Sequence, residues 1–226
     1  MRKIGVEIGK LNVDTQFLKD LHSTSPEILD EMALPSFIHK NPLVRWITHL
    51  RVSEALKLLD FKTGMRIMDF GCGTGIMFIQ LPKFEGEYLG VDIYLWPAEK
   101  VLAHHNREDV QLILANNWQE IVPDNSLDFI IATEVLEHVE EVVPLIMSFV
   151  RKLKSGGGIV ISLPTENLIY KIGRKIAGFS GHYHEEEIPD IVDIVSTIGS
   201  LNLDSYSSIP LPCPFCLYKV YRFTKL

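Results

Sequence analysis

Cysteine is scarce in this chain: three in 226 residues, Cys72, Cys213 and Cys216. Three cysteines do not make the even, regularly spaced set of a disulfide framework. "CPFC" (213–216) has the spacing of half a zinc site, but there is no second C-x-x-C to complete it, so the pair reads as hairpin packing. No run approaches the ~18 apolar residues of a membrane-spanning helix. The opening "MRKIGVEIGK" lacks the apolar core of a signal peptide. Basic charge is also in deficit. Lys and Arg total 22 against 29 Asp and Glu, a formal net charge of −7, which argues against long nucleic acid as a partner. Repeats and low-complexity tracts are missing too. What remains is a globular chain, expected in the cytoplasm, with 46% hydrophobic residues and enough length for a full core.

Its apolar residues are patterned. "MRIMDF" (65–70), "EYLGVDI" (87–93), "VQLILA" (110–115), "LDFIIAT" (127–133) and "GGIVISL" (157–163) are short runs bounded by turn residues, as buried strands are. "GIMFIQLP", "PAEKVLAHH" and "VPLIMSFVRKLKSGG" lie between them and read as helices. The last has Pro144 in its first turn, then basic residues and glycines at its end. Alternation of this kind predicts an α/β fold, a parallel sheet with helices on both faces. The tail "LDSYSSIPLPCPFCLYKVYRF" has two β-rich runs around a proline-rich turn. That predicts an antiparallel C-terminal hairpin at the sheet edge, giving seven mostly parallel strands. Residues 1–64 carry a helix over 42–60 ending before Gly64. They read as an N-terminal helical extension covering the active site of a domain over 65–226.

The stretch "IMDFGCGTG" (67–75) sets Gly71, Gly73 and Gly75 at alternate positions after the first strand, with Asp69 just upstream. A glycine loop that leaves a strand and opens a helix is expected to present backbone N–H groups to a ligand at the carboxyl end of the sheet. Asp92 ends the next strand, 17 residues after Gly75, where a carboxylate can accept both hydroxyls of a ribose. The glycines are spaced G-x-G-x-G, unlike the G-x-G-x-x-G of a dinucleotide site. Asp69 stands where it could face a cationic group such as an amino-acid ammonium.

"IMDFGCGTG", "GVDI", "PDNSLDFIIATEVLEHV" and "LKSGGGIVISLP", in this order, resemble the class I S-adenosylmethionine-dependent methyltransferases from about residue 45 to 205. The resemblance implies a Rossmann-like sheet and S-adenosyl-L-methionine as cofactor. It implies that Asp69 and the backbone of Gly71, Cys72 and Gly73, with Gly75 completing the loop, hold the methionine part. Asp92 would hold the ribose, and Ile93 would pack on the adenine. Asn116 stands where the family often has an acid toward the adenine amino group. Asn117 and Trp118 would close over the ring, unless Trp118 simply packs, and Thr133 would border the cofactor at the end of the fourth strand.

"TEVLEHV" (133–139) spaces Glu134, Glu137 and His138 at i, i+3 and i+4, one face of a helix starting near Thr133. "GHYHEEE" adds His182 and His184. Two carboxylates and two imidazoles suit a divalent cation such as Mg²⁺, Mn²⁺ or Zn²⁺, the oxygen ligands favouring the harder Mg²⁺ and Mn²⁺, with His182 as the favoured fourth ligand over His184. Ubiquinone-biosynthesis O-methyltransferases carry a similar E-x-x-E-H segment, and so do small-RNA 2′-O-methyltransferases. The alternative is that these residues brace the turn or act directly as acid and base. In "NLIYKIGRKIAGF" (167–179), Leu168, Ile169, Ile172, Ile176 and Phe179 share one helical face, away from Lys171, Arg174 and Lys175. That pattern fits peripheral contact with a membrane surface or cover for an oily substrate, or a lid packing its apolar face on the domain. The resulting expectation is methyl transfer to a small, hydrophobic, hydroxylated or lipid-like acceptor. The alternatives are an N- or C-methyltransferase without metal, or a non-catalytic cofactor-binding partner subunit.

Overall fold

A computed structural model describes residues 13–176, 191–198 and 200–226. Four helices come first: α1 Thr15–His22, α2 Pro26–Glu31, α3 Leu34–Ile38 and α4 Pro42–Leu58. Side-chain caps start two of them. Asp14 accepts from the N–H groups of Gln16 and Phe17, and Asn41 from that of Leu43, with Pro42 in the first turn where its missing N–H is not needed. The rest follows as β1 Arg66–Phe70, β2 Glu87–Asp92, α5 Trp96–His104, β3 Val110–Leu114, α6 Trp118–Ile121, β4 Leu127–Thr133, α7 Val142–Lys152, β5 Leu153–Pro164, α8 Leu168–Ile176, α9 Ile191–Thr197, β6 Leu201–Ile209 and β7 Tyr218–Lys225.

The seven strands lie in the order β3-β2-β1-β4-β5-β7-β6. β1 to β5 are parallel, and β7 runs antiparallel between β5 and β6. Both faces are covered, which is why the central strands read as continuous apolar runs. Ile67, Ile131 and Val160 face a core built with the N-terminal helices and α5. Met68, Ile130, Ile159 and Ile161 face a second core with Phe149 and Leu145 of α7.

The N-terminal segment shares the first of these cores. Leu18, Leu29, Leu34, Phe37 and Leu56 are buried together with Ile67, Phe78 and Val220, each burial worth about 2 kcal/mol. α1 is also pinned to α5. Phe17 stacks on His104 at 3.9 Å between ring centroids, and Asp14 meets His104 at 3.2 Å. Gly64 therefore marks a change of secondary structure within one shared core.

Two expected elements differ. No α-helix follows the glycine loop: only a 3₁₀ turn, Phe78–Gln80, forms there. Pro82 lies two residues beyond it, and without an N–H it cannot carry the turn on into a helix. β5 begins at Leu153, earlier than expected, because Leu153 pairs with Leu127 before an irregularity brings Gly158 opposite Phe129. In the loop between β6 and β7, Cys213 and Cys216 form a disulfide, which corrects their reading as simple packing residues.

Candidate active site

The glycine loop leaves β1 and turns back on the end of β2. Gly71 and Cys72 both donate to the Val91 carbonyl, at 2.8 and 3.1 Å. Gly73 donates to Asp92 Oδ2 at 2.7 Å, and Gly75 to the Cys72 carbonyl at 2.8 Å. The expectation that these N–H groups face a ligand is thereby corrected, since each is spent inside the loop or on β2. A trans peptide points its C=O opposite its N–H, so the Gly71 carbonyl faces away from Val91. Gly71 has φ +74°, and a Cβ there would lie 2.5 Å from Cγ2 of Val135. Only glycine meets both demands. At Gly73, φ is +52° and a Cβ would stand 3.6 Å from Met32 of the N-terminal segment, which thus reaches over the loop. Gly75 packs on α5 at Ala98, and Cys72 is buried toward Gly90 of β2.

Asp69 lies beneath this loop, 3% exposed, and among the described residues its Oδ1 meets no hydrogen-bond partner. Burial, and then the Asp92 carboxylate, push its pKa up to about 8. A buried carboxyl without a partner lacks a cation or donor. An ammonium supplies both, so the site fits the amino-acid end of the cofactor implied by the motifs. Asp92 also accepts from Ile93 N–H at 2.7 Å, which fixes the carboxylate at the end of β2. Ile93 beside it is 66% exposed, a free apolar surface just past the end of β2. Asn116 and Asn117 are exposed at the end of β3, and Thr133 is half-buried at the end of β4. Trp118 is different. It is 2% exposed and meets Phe70 and Phe149 edge-on at 5.6 and 5.7 Å. It belongs to the core between the sheet and α7, where its apolar ring is best buried, and not to a cover over adenine.

Val135, which abuts Gly71, joins this loop to the acidic segment after β4. Here the expected helix is absent. Glu134 has φ +54° and donates its N–H to the Ser162 carbonyl, and only a 3₁₀ turn, Leu136–His138, follows. Glu134, Glu137 and His138 therefore do not share one helical face. Glu134 is instead ion-paired with Arg51 of α4, the two side chains being 19% and 8% exposed. The Arg51 guanidinium also lies 5.0 Å from the ring centroid of Tyr218. Tyr218 meets Tyr170 edge-on at 5.5 Å, and the Arg174 guanidinium lies 5.8 Å from the Tyr170 ring. Burial raises the Glu134 carboxyl, with Arg51 and Arg174 opposing. Glu137 has no ion pair among the described residues. Burial, and then the Glu134 charge, lift it to about 8, and its Oε2 is shielded and unpartnered among the described residues.

Among the described residues no group of three or more His, Cys, Asp or Glu is arranged to hold a metal. His182 and His184 lie outside the described residues, as does Phe179. Arg51 already occupies Glu134, so among the described residues the acidic segment offers no ready ligand set for the expected Mg²⁺ or Mn²⁺.

Sequence reasoning missed Arg51, Tyr170 and Tyr218. A signal existed for Arg51, which lies on the same helical stripe as the buried Thr48, Val52 and Ala55, where a charge needs a partner. α8 carries Tyr170 and Arg174 toward this cluster. Asn167 starts the helix, its side chain accepting from Tyr170 N–H and donating to the Cys216 carbonyl. Leu168, Ile169 and Ile172 are left 73%, 37% and 50% exposed, beside exposed Lys171 and Lys175. No described helix is long and apolar enough to cross a membrane.

Residues 45–193 match the protein family described as a methyltransferase domain. The chain is similar to a phosphoethanolamine N-methyltransferase of Triticum aestivum, 30% identical over 112 residues, which cover 48% of this chain and 22% of that protein. It is also similar to a ubiquinone biosynthesis O-methyltransferase of Bradyrhizobium diazoefficiens, 26% identical over 165 residues, 69% of this chain and 64% of that one. The matches thus span less than two thirds of either curated relative. Among solved structures, the N-methyltransferase NodS of Bradyrhizobium japonicum WM9 in complex with S-adenosyl-L-homocysteine superposes with a TM-score of 0.63 at 16% identity. That alignment covers 89% of this chain and 98% of that one, a likeness of fold.

Proposed function

This chain belongs to the methyltransferase domain family, and on that premise we propose that it uses S-adenosylmethionine, whose product a structural neighbour holds, to methylate a hydroxyl on a small hydrophobic acceptor. The bound cofactor supplies a methyl group made electrophilic by its sulfonium. The chain's own residues have three tasks. Asp69 takes the ammonium that its buried, unpartnered oxygen lacks. Asp92 and the exposed Ile93 offer a carboxylate and an apolar surface to the nucleoside. In its ionised form, which a pKa of about 8 leaves at roughly a tenth of the population at pH 7, Glu137 accepts the proton that an acceptor hydroxyl sheds as it attacks. One observation carries the choice of a hydroxyl: Oε2 of Glu137 is shielded and has no partner among the described residues, two residues after Val135, which abuts Gly71. We further propose that the exposed apolar residues of α8, with Lys171 and Lys175, touch an anionic membrane from which such an acceptor is drawn.

A second reading, transfer to an amine, has the phosphoethanolamine N-methyltransferase relatives behind it. Methyl-labelled S-adenosylmethionine incubated with a prenylated catechol and, separately, with phosphoethanolamine separates the two. Label on the catechol oxygen is expected, and label on phosphoethanolamine alone would replace the first reading with the second. For α8, wild type should co-sediment with phosphatidylserine vesicles, and the pair Lys171→Glu and Lys175→Glu should not. A wild type that stays in solution would remove the membrane contact.

A further inference from the structure

We infer that Arg51 takes the place of a divalent cation in this site, so that the E-x-x-E-H segment of this chain is neutralised by a guanidinium supplied from α4. The inference rests on the reading of that segment as the acceptor side of a methyl-transfer site. The ion pair with Glu134 is set from both sides. On one, Arg51 rises from a buried stripe of α4 and lies against the ring of Tyr218. On the other, the positive φ of Glu134 and its N–H bond to Ser162 fix where the carboxylate goes. The remaining neighbours keep the cluster balanced: Glu137 on the same loop, Glu166 before α8, Arg174 on α8, and the hydroxyls of Tyr170 and Tyr218.

A guanidinium differs from a metal in what it can do. It offers N–H donors in a fixed plane and has no open coordination position for an acceptor oxygen. It can hold Glu134 and orient an oxygen, but it cannot activate a hydroxyl by direct ligation. Proton removal then falls to a side chain, and the N-terminal segment becomes part of the working site in addition to covering it.

The test uses the full chain and Mn²⁺ alone, following the loss of the free-ion electron paramagnetic resonance signal. Wild type and Arg51→Lys, which keeps the charge, should leave that signal intact. Arg51→Ala, which frees Glu134, should take up more Mn²⁺ than wild type, and adding Glu134→Gln should return the uptake to the wild-type level. Stoichiometric uptake by wild type that is lost in Glu134→Gln would overturn the inference. So would an Arg51→Ala protein that binds no more than wild type. Should Arg51→Ala fail to fold, the nitrogen resonances of the arginine side chains provide a second measurement. In wild type the Arg51 signal should be slowed by its ion pair and unbroadened by Mn²⁺, and broadening would again overturn the idea. Calorimetry with S-adenosylmethionine on the same wild-type sample keeps the two readings apart. Loss of cofactor binding would strike the methyltransferase reading and leave the Mn²⁺ result standing.

Discussion

Cofactor binding should release a proton from Asp69. With its pKa at about 8, this carboxyl is protonated in the ligand-free chain at neutral pH. An ammonium placed against its unpartnered oxygen needs the ionised form. The chain must therefore lose a proton first, at about 1.4 kcal/mol for each pH unit below 8. At about pH 7 that weakens affinity roughly tenfold, and at about pH 6 roughly a hundredfold, relative to a preformed carboxylate. Affinity should then rise about tenfold from pH 6 to 7, a range in which an α-amino group stays protonated. S-Adenosylhomocysteine has the same ammonium without the sulfonium, so it should show the same slope.

The assay is titration calorimetry in two buffers of different ionisation heat, which counts protons directly. Close to one proton released per ligand at about pH 6.5 is expected, and Asp69→Asn should release none. A flat affinity over that range, with no proton released by wild type, would mean that Asp69 does not meet the ammonium or is already ionised. The same shift predicts how the ligand-free protein responds to pH. A carboxyl whose pKa is raised by folding stabilises the native state below its unfolded value, near 4, and that contribution is lost as pH rises toward 8. As far as Asp69 governs it, the melting temperature of the ligand-free chain should therefore fall across this interval, and excess cofactor should remove the dependence.

Two further substitutions test the packing around the site. Gly71→Ala should abolish cofactor binding in calorimetry and cost about 1–3 kcal/mol of stability, because its Cβ would overlap Val135 in a left-handed backbone; a variant that binds normally would show that the loop and the acidic segment are not in contact. Trp118→Ala should lower stability by roughly 3–5 kcal/mol in denaturant unfolding through the cavity it leaves, with the cofactor affinity of the folded fraction little changed, whereas a selective loss of affinity would return Trp118 to the adenine.

What the sequence disclosed depended on the range of the interaction. The strands were legible because burial on both faces makes each one a run of apolar residues, as in Ile67 and Met68 or Phe129 to Ala132. The glycines and Asp92 were legible because a loop stripped of side chains between a strand and a turn has few other uses. The direction of the loop N–H groups was not, since it depends on Val91 and Asp92 on the neighbouring strand. The helix expected after Gly75 failed for a local reason in plain view: Pro82. Around Glu134 the local pattern was misleading. The i, i+3, i+4 spacing pointed to one helical face, and a single left-handed residue removed that face. Its partner Arg51 comes from a helix far earlier in the chain, which no local spacing can announce. A buried cation on an apolar stripe was nonetheless visible in the sequence, and such a charge is tolerated only when a carboxylate meets it. The useful question at "HLRVSEAL" was which acid Arg51 reaches, and the sheet order answers it, because it brings the end of β4 beside β5 and so within reach of Tyr218 on β7.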